Sequence, residues 1–144
     1  MSASDTAEIT YRLDDQVGYL LRLAGQRHSG IFQSHVPGGL TPTQFSALLR
    51  LSEHGEVSQN HLGRLAAMDI ATIKGVVDRL RDKGLIVARS DPDDRRRSLI
   101  ALSPTGTALI DDLKSAGRGI TEATLAPLTD RERASLVTLL KKIT

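Results

Sequence analysis

Asp91-Pro92-Asp93-Asp94-Arg95-Arg96-Arg97 gathers acids and guanidinium groups into one stretch between the apolar runs Leu85-Ile86-Val87 and Leu99-Ile100-Ala101-Leu102. A proline-started turn between two short apolar runs predicts a β-hairpin with a basic tip. Guanidinium groups on such a tip suit a phosphate backbone. One held extended by a bidentate carboxylate also suits the narrow, electronegative minor groove of an A·T stretch. Asp94 is the acid positioned to hold an arginine this way, with Asp91 and Asp93 capping the turn. Read as a strand-like segment, Arg95, Arg96 and Arg97 alternate in direction, so Arg96 points away from its neighbours. The rival chemistry is a calcium loop opening on Asp91-x-Asp93. It lacks the glycine and distal glutamate of that motif, and the adjoining arginines would repel a divalent cation.

Directly upstream, the segment from Ile70 to Lys83, bounded by Asp69 and Gly84, repeats with a helical period. Ile73, Val76, Val77 and Leu80 form its buried stripe, leaving Ala71, Thr72, Lys74, Gly75, Asp78 and Arg79 outward. Within that set, Thr72, Lys74, Gly75 and Arg79 are the candidates to face a major groove. Lysine or arginine reads guanine O6 and N7 there, and threonine touches a thymine methyl. Alone, this helix fits a solvated surface as well as a nucleic acid. The basic hairpin beside it tips the balance.

The elements that must carry these residues are mostly helices. Leu13, Val17, Leu20, Leu21, Ala24, Ile31 and Phe32 recur at helical steps and mark an amphipathic first helix ending before Pro37-Gly38-Gly39. Thr41-Pro42-Thr43-Gln44 supplies a capping box for a second helix that closes at Gly55. Ser58 caps a short third helix, and Met68-Asp69 turns into the helix from Ile70, which is helix-turn-helix spacing. Ser103-Pro104 begins a long helix reaching the neighbourhood of Leu125, and Thr129-Asp130-Arg131-Glu132 opens a final one. The expected fold is mainly α with a small β-hairpin: a winged helix-turn-helix DNA-binding domain over residues 41–103. Residues 1–40 and 104–144 form a helical dimerisation region, because the flanking helices carry more aliphatic surface than a small winged helix can cover. A second copy would bury that surface and supply the two-fold axis of a palindrome reader.

Composition narrows the class further. The 144 residues contain no cysteine, which removes disulfide frameworks, thiolate nucleophiles and thiol redox sensors. Net charge is only +2, so any nucleic-acid surface must arise from local clustering. The polar, acidic stretch Met1–Thr10 has no apolar core of a signal sequence, and no run approaches a membrane span, so a cytoplasmic protein without a membrane partner is expected. His28 and His35, seven apart on one helix, sit too far from each other to share an ion. No HExxH pattern, P-loop, nucleophile elbow or dinucleotide fingerprint is present. Neither an enzyme, a metal centre nor a bound cofactor is expected.

Over nearly its whole length the chain resembles the MarR family of bacterial transcriptional regulators. Met68-Asp69-Ile70, Val77-Asp78-Arg79-Leu80 and Lys83-Gly84-Leu85-Ile86 are similar to that family's recognition helix and first wing strand. Asp91-Pro92-x-Asp94-Arg95-Arg96 and Leu102-Ser103-x-x-Gly106 are similar to its wing signature. The resemblance implies a triangular homodimer, two winged helices straddling a palindromic operator, and a small-molecule pocket between the DNA-binding and dimerisation regions. It also matches Asp94 and Arg96 to the wing aspartate and the arginine that this aspartate orients into the minor groove. Two positions depart from the pattern. Ser103 stands where threonine is usual, and Gly75 stands where a polar residue is common, which removes a base contact.

The stretch Phe32-Gln33-Ser34-His35-Val36-Pro37-Gly38-Gly39-Leu40-Thr41 resembles regulators of nicotinate degradation. The implied effector is a small aromatic or heteroaromatic carboxylate. Its candidate contacts are Tyr19, Arg22, His28, His35 and Phe45, since a carboxylate wants a cationic partner and a ring wants an apolar slot. The expectation is a dimeric repressor released from double-stranded operator DNA by such an acid. A protein-binding winged-helix adaptor is the competing class, and it would lack salt-dependent duplex affinity.

Overall fold

Side-chain caps decide where most of the helices begin. In the computed structural model, which describes residues 10–144, a 3-10 turn at Leu13–Asp15 precedes helix α1, Val17–His35. The first helix expected from Leu13 is therefore broken at Gln16, whose backbone is extended. A second 3-10 turn at Pro37–Gly39 leads to α2, Pro42–His54. There the Gln44 amide donates to Thr41 Oγ1 at 3.3 Å, and the Thr41 amide donates to Gln44 Oε1 at 3.2 Å, completing the capping box.

A short strand β1, Val57–Ser58, precedes α3, Gln59–Leu65, with Ser58 Oγ accepting from the His61 amide. Asp69 caps α4, Ile70–Asp82, and Gly84 turns the chain into strand β2, Ile86–Ser90, which pairs with β3, Ser98–Leu102. Helix α5, Pro104–Thr124, and α6, Asp130–Lys142, complete the chain, the last opened by the capping box of Thr129 and Glu132. The sheet is antiparallel in the order β1-β3-β2, with Val57 opposite Ile100 and Ile86 opposite Leu102. The hairpin was legible in the sequence. The third strand, only two residues long, was not.

The core lies where α2, α3, α4 and the sheet converge. Leu48, Leu51, Leu62, Ile73, Val77, Leu80 and Ile100 are buried, each contributing about 1.5–3 kcal/mol by leaving water. The stripe Ile73, Val76, Val77 and Leu80 is thus the inward face of α4, as its periodicity predicts. Leu40, Ile110 and Leu113 belong to the same cluster, so packing runs across the expected segment boundaries at 40/41 and 103/104.

Ser103 locks this junction. Its Oγ donates to the Gly84 carbonyl at 2.6 Å and accepts from the Gly106 amide at 3.0 Å, while its own amide donates to the Leu85 carbonyl at 3.0 Å. Gly106 must lack a side chain, because a Cβ there would overlap the Leu85 carbonyl oxygen. The start of α5 is consequently pinned to the end of α4.

Beyond that junction α1 packs along α5, with Phe32 and Ile120 buried, whereas α6 is thinly held. Arg27 donates to the Thr124 and Ala123 carbonyls at 2.6 and 3.0 Å, closing the end of α5 onto α1. Arg133 ties α6 to Glu122 at 2.8 Å. Val17, Leu20 and Leu21 on α1 and Val137 and Leu139 on α6 stay exposed, and α6 has no buried residue. Among the described residues no helix is long and apolar enough to cross a membrane.

Candidate nucleic-acid interface

The hairpin tip is a tight turn rather than a strand-like run. The Arg97 amide donates to the Asp94 carbonyl at 2.9 Å, and the Asp91 amide donates to the Arg97 carbonyl at 2.9 Å, so β3 starts only at Ser98. Strand alternation therefore does not set the arginine directions; the acids do. Asp94 Oδ1 accepts from the Arg96 amide at 3.1 Å and from Arg96 Nε at 3.2 Å, and Oδ2 accepts from Nη2 at 3.5 Å. The Arg96 hydrogen bonds hold the Asp94 carboxyl below its ordinary range. Arg97 instead turns back toward Asp91, with Nε 3.8 Å from Oδ2. Asp91 also accepts from the Asp93 amide at 2.9 Å, so Asp91 caps the turn and Asp93 contributes its backbone.

On α4, the Thr72 amide sits 2.7 Å from Asp69 Oδ1, and this bond lowers the Asp69 pKa. Thr72, Lys74 and Arg79 are exposed and Gly75 is half-buried, all on the face away from the core. Asp78 binds both Lys74 Nζ at 3.1 Å and Arg81 Nη2 at 3.2 Å.

Between α3 and the wing lies a polar notch of about 320 Å³, lined by Ser58, Gln59, Asn60, Arg64, Arg96, Arg97 and Ser98. Nothing local in the sequence marks Gln59, Asn60 and Arg64 as neighbours of the hairpin tip. A further brace is also new. Arg89 on β2 donates from Nε and Nη2 to Glu56 at 2.9 and 2.7 Å, which lowers the Glu56 pKa and raises that of Arg89. This pair fixes the wing against the loop after α2.

The candidate effector residues are spread along α1 and α2, with Phe45 packed against Gly117 and His35 against Gly119 of α5. Arg22 stacks over the Tyr19 ring at 5.4 Å on an exposed stretch of α1. His28 Nδ1 pairs with Thr124 Oγ1 at 2.9 Å, and His35 Nδ1 lies 2.8 Å from the Ile31 carbonyl of its own helix. Phe45 meets Phe32 edge-to-face at 5.5 Å. Of the set, Phe45 alone lines a groove of about 560 Å³ between α2 and α5, with Leu49, Lys114, Gly117, Arg118, Thr121 and Glu122.

Known proteins share this arrangement. A sequence profile described as the MarR family matches residues 40–98. The HTH-type transcriptional repressor NicR of Pseudomonas putida is 40% identical over 134 residues, which cover 92% of this chain and 85% of NicR. The chain belongs to the MarR family. Two solved structures superpose closely on it. One is a probable transcriptional regulator from Pseudomonas aeruginosa, at 52% identity and TM-score 0.89, covering 92% of this chain and 100% of that one. The other is Bordetella bronchiseptica BpsR, from a structure described as a mechanism for regulation of its DNA binding by 6-hydroxynicotinic acid. It shows 39% identity and TM-score 0.87, covering 93% of this chain and 96% of BpsR.

Membership makes this chain a MarR-family transcriptional regulator and not an enzyme, and the winged-helix fold class stands. The resemblance to nicotinate-degradation regulators stands with it. In family terms, α3 and α4 form the helix-turn-helix and β2 and β3 the wing.

Proposed function

We propose that this protein is a cytoplasmic repressor that binds a near-palindromic operator as a homodimer and releases it when a small aromatic or heteroaromatic carboxylate binds. The Asp94–Arg96 clamp carries the reading. A guanidinium held rigidly at the tip of a hairpin loses little rotamer freedom on entering a narrow minor groove. Thr72, Lys74, Gly75 and Arg79 face the major groove beside it, and Arg95 and Arg97 add charge toward the backbone. Arg64, Gln59 and Asn60, which share the notch with Arg96 and Arg97, suit a phosphate between the two grooves.

The exposed aliphatic faces of α1 and α6 support the dimer, with residues 1–40, of which 1–9 lie outside the described residues, and 104–144 supplying the interface and 41–103 the reading head. The two recognition helices of the dimer would then reach a spacing of about 34 Å. Because Ser103 and Gly106 pin α5 to the end of α4, movement in the dimer region reaches that spacing. For the effector, the BpsR relationship supports 6-hydroxynicotinic acid or a close analogue. Phe45 and Leu49 offer its ring an apolar floor, and Lys114 and Arg118 offer its carboxylate a cation. Tyr19, Arg22, His28 and His35 lie outside that groove and take a secondary role.

Titration of the purified protein against labelled duplexes from beside its own coding region, across a range of salt, tests this reading. Specific binding that falls steeply with salt is expected. No duplex affinity even in dilute buffer would sink it and favour a protein-binding adaptor.

A further inference from the structure

Arg79 Nη1 lies where a side chain at position 75 would begin. A Cβ built on Gly75 would stand 2.8 Å from that nitrogen and 3.9 Å from Cζ, with no other side chain or element within 4 Å. Arg79 follows Gly75 by four residues, one helical turn, and long side chains on a helix lean toward its N-terminus. The guanidinium therefore lies across the bare patch that Gly75 leaves on the outward face of α4.

Two observations show that this patch is not a packing device. Gly75 meets no core residue, so no close approach of elements demands a glycine there. A helix interior also disfavours glycine relative to alanine. The neighbouring cations behave differently from Arg79: Lys74 and Arg81 both donate to Asp78. Among the described residues Arg79 makes no ion pair.

We infer that Gly75 is a positioning residue for Arg79. Its missing side chain is the seat over which the guanidinium lies, so Arg79 presents its N–H edge one turn nearer the start of α4 and reads a guanine there in place of residue 75. This rests on the reading of α4 as the major-groove helix. It replaces the expectation that glycine at this position simply removes a base contact, since arginine matches guanine O6 and N7 bidentately.

The test uses the intact protein and the variants Gly75→Ala, Arg79→Ala and the double variant. Each is measured for thermal melting and for binding to a randomised duplex pool and to the site selected from it. Gly75→Ala is expected to melt no lower than wild type, because alanine favours the helix. It should nonetheless lose preference at the same base pair as Arg79→Ala, each by roughly tenfold or more. The double variant should bind no more weakly than Arg79→Ala alone. Wild-type base preference in either single variant overturns the proposal. So does a further loss when Gly75→Ala is added to Arg79→Ala, which would mean that the Cβ meets the DNA itself, and so does a lowered melting temperature of Gly75→Ala. Failure of the wild type to bind any duplex would instead remove the underlying reading of α4.

Discussion

Asp94 grips Arg96 along the edge of its guanidinium, Oδ1 on Nε at 3.2 Å and Oδ2 on Nη2 at 3.5 Å, while 91% of the Arg96 side chain stays in solvent. An ion pair this exposed adds little to folding stability. Its consequence is directional, since it fixes where a charge points before any partner arrives.

Arg96→Ala is accordingly expected to weaken specific operator binding by about 1–3 kcal/mol with the melting temperature nearly unchanged. Asp94→Asn keeps the charge of Arg96 but loosens its rotamer, so discrimination should fall more than non-specific affinity. Fluorescence anisotropy on operator and scrambled duplexes measures both. Equal losses on both duplexes for Arg96→Ala would remove its groove-reading role.

The clamp also sets a pH dependence. The folded Asp94 pKa lies below the ordinary value of 3.8, first through the Arg96 side-chain bond and then through the Arg96 amide. A carboxylate depressed by folding lends its stabilisation above the unfolded pKa and loses it as pH falls through the folded one. The tip should therefore hold its structure across neutral and mildly acid pH and loosen only below about pH 3.8. Carboxyl chemical shifts followed by NMR would show the Asp94 midpoint, and a midpoint at or above the ordinary value contradicts the geometry.

At the hinge between α4 and α5, Ser103→Ala should cost about 1–2 kcal/mol, because it removes a helix cap and also leaves the Gly84 carbonyl without its donor. Gly106→Ala should cost more, since the Leu85 backbone has to move. Denaturant melts give both values. A harmless Gly106→Ala would show that the α5 start is not pinned as described.

Leu20→Asp combined with Leu139→Asp is expected to shift the protein from dimer to monomer in sedimentation while leaving its helical circular dichroism in place. These side chains are 48% and 58% exposed in the single chain, so the monomer loses no core packing. A double variant that sediments as wild type would place the interface elsewhere.

Lys114→Ala with Arg118→Ala should weaken 6-hydroxynicotinic acid binding by about 1.5–3 kcal/mol, the value of a charge-assisted hydrogen bond. Arg22→Ala should leave it almost unchanged. Thermal shift with the acid separates the two cases, and the opposite ranking would return the effector to the exposed face of α1.

Periodicity, caps and turn chemistry were enough to read six helices, the hairpin and the inward stripe of α4 from the residues alone. Each of those signals lies within one continuous stretch of chain, a cap over about three or four positions and a periodic face over about 11–18, so it is complete in one dimension. The wing acids and arginines were legible for the same reason: Asp94 and Arg96 are two residues apart. What the chain order hid was every contact between distant segments. The Glu56–Arg89 brace joins residues 33 apart, the notch brings Arg64 to Arg96 and Arg97, and the groove sets Phe45 against Arg118. Those neighbours are chosen by how the core closes, which depends on shapes summed over the whole molecule. The break at Gln16 and the turn over Asp94–Arg97 are of another kind: local hydrogen bonds, from Gln16 Nε2 to the Arg12 carbonyl and from the Arg97 amide to the Asp94 carbonyl, overrode the simple period there. Local pattern thus determined which elements exist and which faces are apolar, and tertiary packing decided which charged residues share a site.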